Sequence, residues 1–93
     1  MMDTPVTPTT PDSHRRASRA FLQRVGINVR RLREQRRMNQ KQFGQWCGLT
    51  ESLVSDVECG RRNLTLASLE MLAKGLNCCE SDLLTQPRTE RVS

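Results

Sequence analysis

The sequence is organised around residues 39–59, which read NQKQFGQWCGLTESLVSDVEC. Asn39 and Thr50 each carry a side-chain oxygen that can accept a hydrogen bond from the unpaired amides at a helix start, so each predicts a helix N-cap. Gly48 and Leu49 separate the second cap from the end of the first predicted helix. The stretch therefore predicts two short helices joined by a tight turn at Gly48-Leu49-Thr50.

Apolar residues recur at helical spacing through this stretch. They are Phe43, Trp46 and Cys47 in the first half, then Leu49, Leu53, Val54 and Val57 in the second. Gly44 leaves room on the first helix for the second helix to cross it closely. This layout predicts a helix-turn-helix, whose second helix can enter a groove of DNA.

Composition favours a small all-α domain. The chain has 93 residues, of which only three are aromatic, so its core must consist mostly of leucine and valine. Few β-branched or aromatic runs alternate with period two, which argues against strands. The net charge of +5 suits an anionic partner such as nucleic acid.

No apolar run reaches the roughly 18 residues that a membrane helix needs, and no signal-peptide core follows the N-terminal Met. We therefore expect a cytoplasmic protein without a membrane partner, in which cysteines stay reduced. The four cysteines are expected to be small buried or half-buried thiols, and redox sensing by the adjacent Cys78 and Cys79 is the alternative. No Cys-x-x-Cys pair occurs and the only histidine is His14, so we expect no metal site.

Catalytic chemistry is not expected either. The sequence shows no nucleophile with a base beside it and no glycine loop that would cradle a phosphate. A chain of this size does not easily enclose a pocket. We therefore expect no enzyme activity, no cofactor and no small-molecule ligand.

The chain divides into three predicted parts. Residues 1–14 are rich in Thr and Pro and predict a disordered N-terminal arm. Residues 15–86 carry the helical patterns of the DNA-binding domain, and residues 87–93, which begin with a proline, predict a flexible tail. Residues 15–37 contain nine arginines and one acid, threaded by an apolar stripe of Leu22, Val25, Val29 and Leu32.

This stripe predicts the first helix, with Ser18 as its cap or with an earlier start at Asp12 or Ser13. Gly26 within it indicates either close packing or simple tolerance of a poor helix former. The arginines have two interpretations. Most of them can form a solvated surface, or a subset at Arg15, Arg16 and Arg19 can contact phosphates or a minor groove.

Two more helices are predicted after the central stretch. Gly60 follows the second central helix where a left-handed residue is typical, and Thr65 can cap the next helix. That helix carries an apolar stripe of Leu66, Leu69, Leu72, Ala73 and Leu76, and Asn77 ends it. A short helix at residues 80–84, capped by Cys79 or Ser81, completes a count of five.

These residues resemble the Cro/C1-type (XRE) helix-turn-helix family of phage repressors and related regulators. The matching pieces are Asn39-Gln40, Phe43-Gly44, Gly48-Leu49-Thr50, Val54-Ser55, Val57-Glu58 and the run from Gly60 to Leu66, with Ser68-Leu69 and Leu72-Ala73-Lys74-Gly75-Leu76 after it and Val29-Arg30-Arg31-Leu32-Arg33 before it. The resemblance covers roughly residues 22–84 and implies a compact five-helix, lambda-repressor-like DNA-binding domain. The segments Arg62-Asn63-Leu64-Thr65 and Ser68-Leu69-Glu70 are similar to restriction–modification controller proteins, although prophage regulators share such short stretches.

The resemblance implies operator binding by a homodimer on double-stranded DNA, with a recognition helix at residues 51–58. The resemblance implies DNA contact by Gln40, Thr50, Glu51, Ser52 and Asp56. With the outer face of the helix and the basic loop after it, the predicted contact set is Asn39, Gln40, Thr50, Glu51, Ser52, Ser55, Asp56, Arg61, Arg62 and Asn63. The resemblance also implies a structural ion pair between Arg33 and Glu58. For the dimer interface it implies Glu80, Leu83 and Leu84, but both leucines could instead close the core of the monomer.

The outer face of the predicted recognition helix is acidic, which is unusual for a DNA reader. Glu51 and Asp56 can each accept a hydrogen bond from the N4 amino group of cytosine. Glu51 could instead only stabilise the helix N-terminus through the helix dipole. If neither acid reads a base, DNA shape supplies much of the specificity. Attraction must then come from Arg61, Arg62 and Asn63, which can clamp the phosphate backbone.

The helix-turn-helix pattern thus predicts a DNA-binding protein, and the resemblance implies a transcriptional regulator that binds a palindromic operator as a homodimer and regulates its own operon. The alternative is an interaction module of the antitoxin or coactivator kind, in which a partner protein is the main ligand.

Overall fold

The computed structural model describes residues 17–86, and this part of the chain folds into five α-helices. In chain order they are α1 (Arg19–Gln35), α2 (Gln40–Cys47), α3 (Glu51–Glu58), α4 (Leu66–Leu76) and α5 (Glu80–Leu84). The predicted all-α, five-helix fold is confirmed. The predicted N-terminal arm, with Arg15 and Arg16, and the predicted tail lie outside the described residues.

Side-chain caps set the helix starts. Ser18 accepts a hydrogen bond from the amide of Phe21 at 3.1 Å, so α1 begins there and not at Asp12 or Ser13. Asn39, Thr50 and Thr65 cap α2, α3 and α4 in the same way, as predicted. Between the two alternatives for α5, the N-cap is Cys79.

Left-handed residues follow four of the helices. After α1 this residue is Arg37 (φ 59°), which the sequence did not predict, and after the next three helices it is a predicted residue. Gly48 (φ 79°) follows α2 and Asn77 (φ 55°) follows α4. Gly60 (φ 72°) comes one residue after Cys59, which caps the end of α3. These three are the positions at which the sequence predicted a helix to stop.

The core lies where all five helices meet. Its apolar members are Val25, Val29, Phe43, Cys47, Val54, Val57, Leu72, Ala73, Leu76 and Leu83. Leu22 on α1 is buried as well. Leucine and valine dominate this set, as the composition predicted.

Two glycines allow the helices to approach closely. A Cβ at Gly26 would lie 2.5 Å from the carbonyl oxygen of Val57 and 2.7 Å from that of Glu58, so α1 touches the end of α3 there. A Cβ at Gly44 would lie 2.9 Å from the carbonyl oxygen of Leu49, in the turn before α3. Gly26 is therefore a packing requirement, and Gly44 has its predicted role.

Three expectations about burial were wrong. Trp46 is 67% exposed, because its ring lies on the surface of α4, where Nε1 donates to the carbonyl of Gly75 at 2.9 Å. Leu66 is 84% exposed, because as the first residue of α4 it lies at the rim of a surface groove. Cys59 and Cys79 are exposed since both lie at helix ends, while Cys47 is buried and Cys78 half-buried.

Within residues 17–86, no helix combines the length and the hydropathy that crossing a membrane requires.

Candidate nucleic-acid interface

Helix α3 has an inner and an outer face. Val54 and Val57 point into the core with 0% and 2% exposure, and Leu53 is half-buried beside them. Of the residues predicted on the outer face, Glu51 and Ser52 are exposed, and Ser55 and Asp56 are half-buried. The helix therefore presents a short polar stripe to solvent, with the bounds that the sequence predicted.

A groove of about 320 Å³ runs along one side of this stripe. It is lined by Gly48, Leu49, Thr50, Ser52, Leu53, Asp56 and Arg62. Four of the residues predicted to bind DNA, Thr50, Ser52, Asp56 and Arg62, thus share one surface although they come from a turn, a helix and a loop. Arg62 forms no ion pair within residues 17–86, so its charge is available to a ligand.

Asp56 and Arg61 contact each other. The Asp56 Oδ1 atom accepts from Arg61 Nη2 at 2.9 Å and from Nε at 3.3 Å. The backbone amide of Arg61 also donates to the carbonyl of Asp56 at 2.9 Å, because Gly60 turns the chain back after α3. The hydrogen bond to Asp56, helped by the nearby Cys59, raises the pKa of Arg61, which therefore stays charged.

The two neighbouring arginines lie on different sides of the end of α3. Arg61 lines a second groove together with Arg19, Gln23 and Cys59, between α3 and the start of α1. Arg62 lines the first groove, with the polar stripe of α3. The two arginines of the loop after α3 therefore line different grooves and do not share one surface.

Asn63 ties this loop to α1. Its Oδ1 atom accepts from the backbone amide of Ala17 at 3.1 Å. Ala17 consequently lies beside the loop that carries Arg61 and Arg62. Asn63 thus has a structural contact at the position where DNA contact was predicted.

Arg33 and Glu58 form a bidentate ion pair beneath α3. Arg33 Nε and Nη2 donate to the two carboxylate oxygens of Glu58 at 2.6 and 2.9 Å, and Nη1 donates to the carbonyl of Met38 at 2.8 Å. The side chains are only 10% and 4% exposed. The bond to Glu58 raises the pKa of Arg33. This is the structural pair that the family resemblance implies.

Gln40 joins the same network from the first position of α2. Its Nε2 atom donates to Glu58 Oε1 at 3.0 Å, so α1, α2 and α3 all meet at one carboxylate. Asn39 is occupied by a capping box, in which its Oδ1 accepts from the amide of Gln42 and its own amide donates to the Gln42 side chain. Gln40 therefore ties α2 to α3, whereas the contacts of Asn39 fix the start of α2.

Helix α5 differs from the expectation at one residue. Leu83 is 0% exposed and belongs to the monomer core, so it has no surface to offer a partner. Leu84 is half-buried and Glu80 is exposed. Of the two alternatives left open by the sequence, closing the monomer core is correct for Leu83.

Two structural residues were missed by the sequence analysis. Asn28 is fully buried, and its Nδ2 donates to the carbonyls of Leu83 and Thr85 at 2.9 and 2.8 Å, which holds the end of α5 on α1. Arg36 donates to the carbonyls of Leu32 and Leu76, at the ends of α1 and α4. An asparagine directly before Val29 in the apolar stripe was the available signal for the first; nothing in the sequence marked the second.

The thiols differ in environment. Burial raises the pKa of Cys47 to about 11, and it also raises that of Cys78. Within residues 17–86, no cluster of three His, Cys, Asp or Glu side chains could hold a metal ion.

Residues 24–85 match the sequence model of a family described as "Helix-turn-helix domain". The chain belongs to this family. Its members are DNA-binding transcriptional regulators and are not typically enzymes, which confirms the resemblance seen in the sequence.

Two curated relatives from this helix-turn-helix family are control proteins. Control protein C.SmaI from Serratia marcescens is 39% identical over 59 residues, which cover 63% of this chain and 70% of the relative. Control protein C.BamHI from Bacillus amyloliquefaciens is 35% identical over 60 residues, with coverage of 63% and 74%.

A solved structure agrees with these relatives. The restriction-modification controller protein C.AhdI from Aeromonas hydrophila superimposes with a TM-score of 0.67 at 32% identity, covering 70% of this chain and 94% of that protein. The helix-turn-helix fold therefore spans almost all of the controller protein.

Proposed function

We propose that this protein is a sequence-specific transcriptional regulator that binds a palindromic operator as a homodimer and controls its own operon, in the manner of a restriction–modification controller. The observation that carries the proposal is the polar stripe of α3, flanked by a groove to which the unpaired Arg62 contributes its charge. Its framework is rigid, because three helices meet at Glu58.

In this proposal α3 lies in the major groove and the surrounding residues contact base edges or phosphates. The contact set is Asn39, Gln40, Thr50, Glu51, Ser52, Ser55, Asp56, Arg61, Arg62 and Asn63. The acids Glu51 and Asp56 repel phosphates, so attraction comes from cations around the stripe, chiefly Arg62. Each neutralised phosphate adds about 0.9 to the slope of log affinity against log salt concentration.

The dimer surface in this proposal is an apolar groove beside α5. Phe21, Leu64, Leu66, Leu69 and Leu84 contribute to its lining, together with the start of α1. Leu66 is 84% exposed at the rim and leaves apolar surface that a second copy would cover. Of the three residues first expected at the interface, only Leu84 lines this groove, so the proposed surface uses Leu84 and Leu66 and leaves out Leu83 and Glu80.

Selection of bound DNA from a random pool tests the function. We expect a palindrome to be enriched, with two half-sites related by the symmetry of the dimer. A gel shift on the DNA upstream of the protein's own gene then tests autoregulation. Absence of any sequence-selective binding would refute the proposal and would favour a protein-interaction module.

Sedimentation tests the dimer with a matched pair of variants. Leu66→Glu places a charge in the apolar groove and should shift the protein towards monomer and weaken operator binding. Ile27→Glu changes an equally apolar residue, 52% exposed, that lies outside this groove, and should leave the dimer intact. If the two variants showed the same proportion of monomer in sedimentation, this interface would be contradicted.

A further inference from the structure

The contact between Asp56 and Arg61 gives the acid on α3 a role that its position alone does not indicate. Both lie at the solvent surface, with side chains 31% and 60% exposed, and no helix packing requires them to pair. The backbone at Gly60 nevertheless turns Arg61 back so that its amide and its guanidinium both contact residue 56. The arginine side chain is thus held in one orientation against Asp56, at the border between the polar stripe and the groove that Arg61 lines with Arg19 and Gln23.

We propose that Asp56 is a positioning residue and that Arg61, held by it, reads a guanine in each half-site. This inference rests on the proposed DNA binding and names the base that the site prefers. It replaces two separate roles, a base-reading Asp56 and a phosphate-clamping Arg61, with one paired unit.

Hydrogen-bond donors remain for the guanine. The guanidinium has five N–H donors, and Asp56 engages Nε and one N–H of Nη2. Both N–H groups of Nη1 and the second of Nη2 are left on the outer edge. That edge matches the two acceptors O6 and N7 of guanine in the major groove, and no other base presents two acceptors there.

The location of the pair also favours a base over a phosphate. Ser52 and Asp56 are four residues apart on α3, so they share one helix face, and both line the groove beside the stripe. The guanidinium sits 2.9 Å from the Asp56 carboxylate and therefore at the edge of that face. A phosphate placed there would be repelled by the same carboxylate, whereas a guanine carries no net charge.

The neutral Asp56–Arg61 pair and Arg62 should thus contribute differently to the salt dependence of DNA binding. Arg62 forms no ion pair within residues 17–86, and neutralising a phosphate with it releases counterions. Contact of the neutral pair with a base releases none. Arg62 is therefore a matched control for Arg61, with the same side chain one residue away.

The experiment combines binding-site selection with salt titration on the wild type, Arg61→Ala, Asp56→Ala, the double variant and Arg62→Ala. For Arg61→Ala we expect the preference for one guanine in each half-site to fall by roughly 5- to 150-fold. The slope of log affinity against log salt concentration should stay unchanged. For Arg62→Ala we expect an unchanged preference and a slope lower by about 0.9 per protomer. Circular dichroism confirms that all variants are folded.

Asp56→Ala should weaken the preference for the same guanine and, because it frees Arg61, should steepen the salt slope. In the Arg61→Ala background it should have no further effect on base preference. If Arg61→Ala lowered the salt slope and weakened binding equally on all sequences, the inference would be overturned. A change in base preference when Asp56→Ala is added to Arg61→Ala would overturn it as well. A wild-type protein without sequence preference would instead refute the proposed function.

Discussion

Replacing Glu58 by alanine removes the acceptor of three hydrogen bonds at the point where α1, α2 and α3 meet. Arg33 Nε, Arg33 Nη2 and Gln40 Nε2 all donate to this carboxylate, at 2.6, 2.9 and 3.0 Å. The guanidinium would keep the carbonyl of Met38 as its strong partner while its side chain stays only 10% exposed. A buried charge would therefore lose its close counter-charge and keep only the Glu34 carboxylate, 4.0 Å from Nη2.

Breaking a buried pair of this kind costs about 3–5 kcal/mol. A domain of about 70 residues has a total stability of roughly 4–10 kcal/mol, so the variant should be close to unfolding at 25 °C. Its melting temperature should fall by more than about 10 °C. Thermal unfolding followed by circular dichroism, together with urea titration, measures both quantities.

Helix α1 offers a matched control. Arg30 and Glu34 form an ion pair at 3.1 Å with the same chemistry, but their side chains are 64% and 54% exposed. Arg30→Ala should cost only about 0.3–0.5 kcal/mol, because water already solvates both charges. If Glu58→Ala cost no more than Arg30→Ala, the reasoning from burial would be refuted.

A second comparison separates the missing partner from the missing volume. Replacing both charges, as Arg33→Met with Glu58→Leu, removes the uncompensated guanidinium and should recover most of the lost stability. The hydrogen bond to Glu58 raises the pKa of Arg33. Stabilisation through a raised pKa is fully present below the arginine's unfolded value and lost only above it, so Arg33 adds no pH dependence near neutrality.

Other contacts predict further effects. Asn28→Ala leaves two carbonyls at the end of α5 without their buried donor, so we expect a loss of about 1–3 kcal/mol in urea titration; unchanged stability would contradict this role. Gly26→Ala should destabilise by about 1–3 kcal/mol although alanine favours a helix, because its Cβ meets the carbonyl oxygen of Val57; a gain in melting temperature would contradict the close approach. Cys47, with a pKa raised to about 11, should be alkylated by iodoacetamide at pH 8 far more slowly than the exposed Cys59, as peptide mass spectrometry can show; equal rates would refute the burial.

Local signals in the sequence predicted the helices well. The caps at Asn39, Thr50 and Thr65 depend only on a side-chain oxygen reaching an amide three residues on, so their positions could be read from the chain. The bounds of α3 followed from the cap at Thr50 and from Gly60. These features need no knowledge of which helices pack together.

Features that depend on neighbouring helices were harder to predict. Trp46 and Leu66 fit apolar periodicities, but periodicity does not say how far another helix covers that part of the stripe; Trp46 contacts α4 and still remains 67% exposed, and Leu66 remains 84% exposed. Asn28 looks like an interruption of the stripe until α5 supplies its two carbonyls. The pairing of Asp56 with Arg61 depends on how Gly60 turns the chain, which the residue types alone did not reveal.

The same dependence explains why the 15 Lys and Arg residues are a poor guide to the number of cations available to DNA. Arg33 is buried against Glu58, and Arg61 is neutralised by Asp56. Arg36 donates to two backbone carbonyls at helix ends. These guanidinium groups are held by carboxylates or backbone carbonyls, and within residues 17–86 only cations without such partners, such as Arg62, add fully to the salt-dependent attraction. An arginine-rich sequence can therefore place a nearly neutral recognition surface on DNA, since specificity requires fixed donors more than it requires charge.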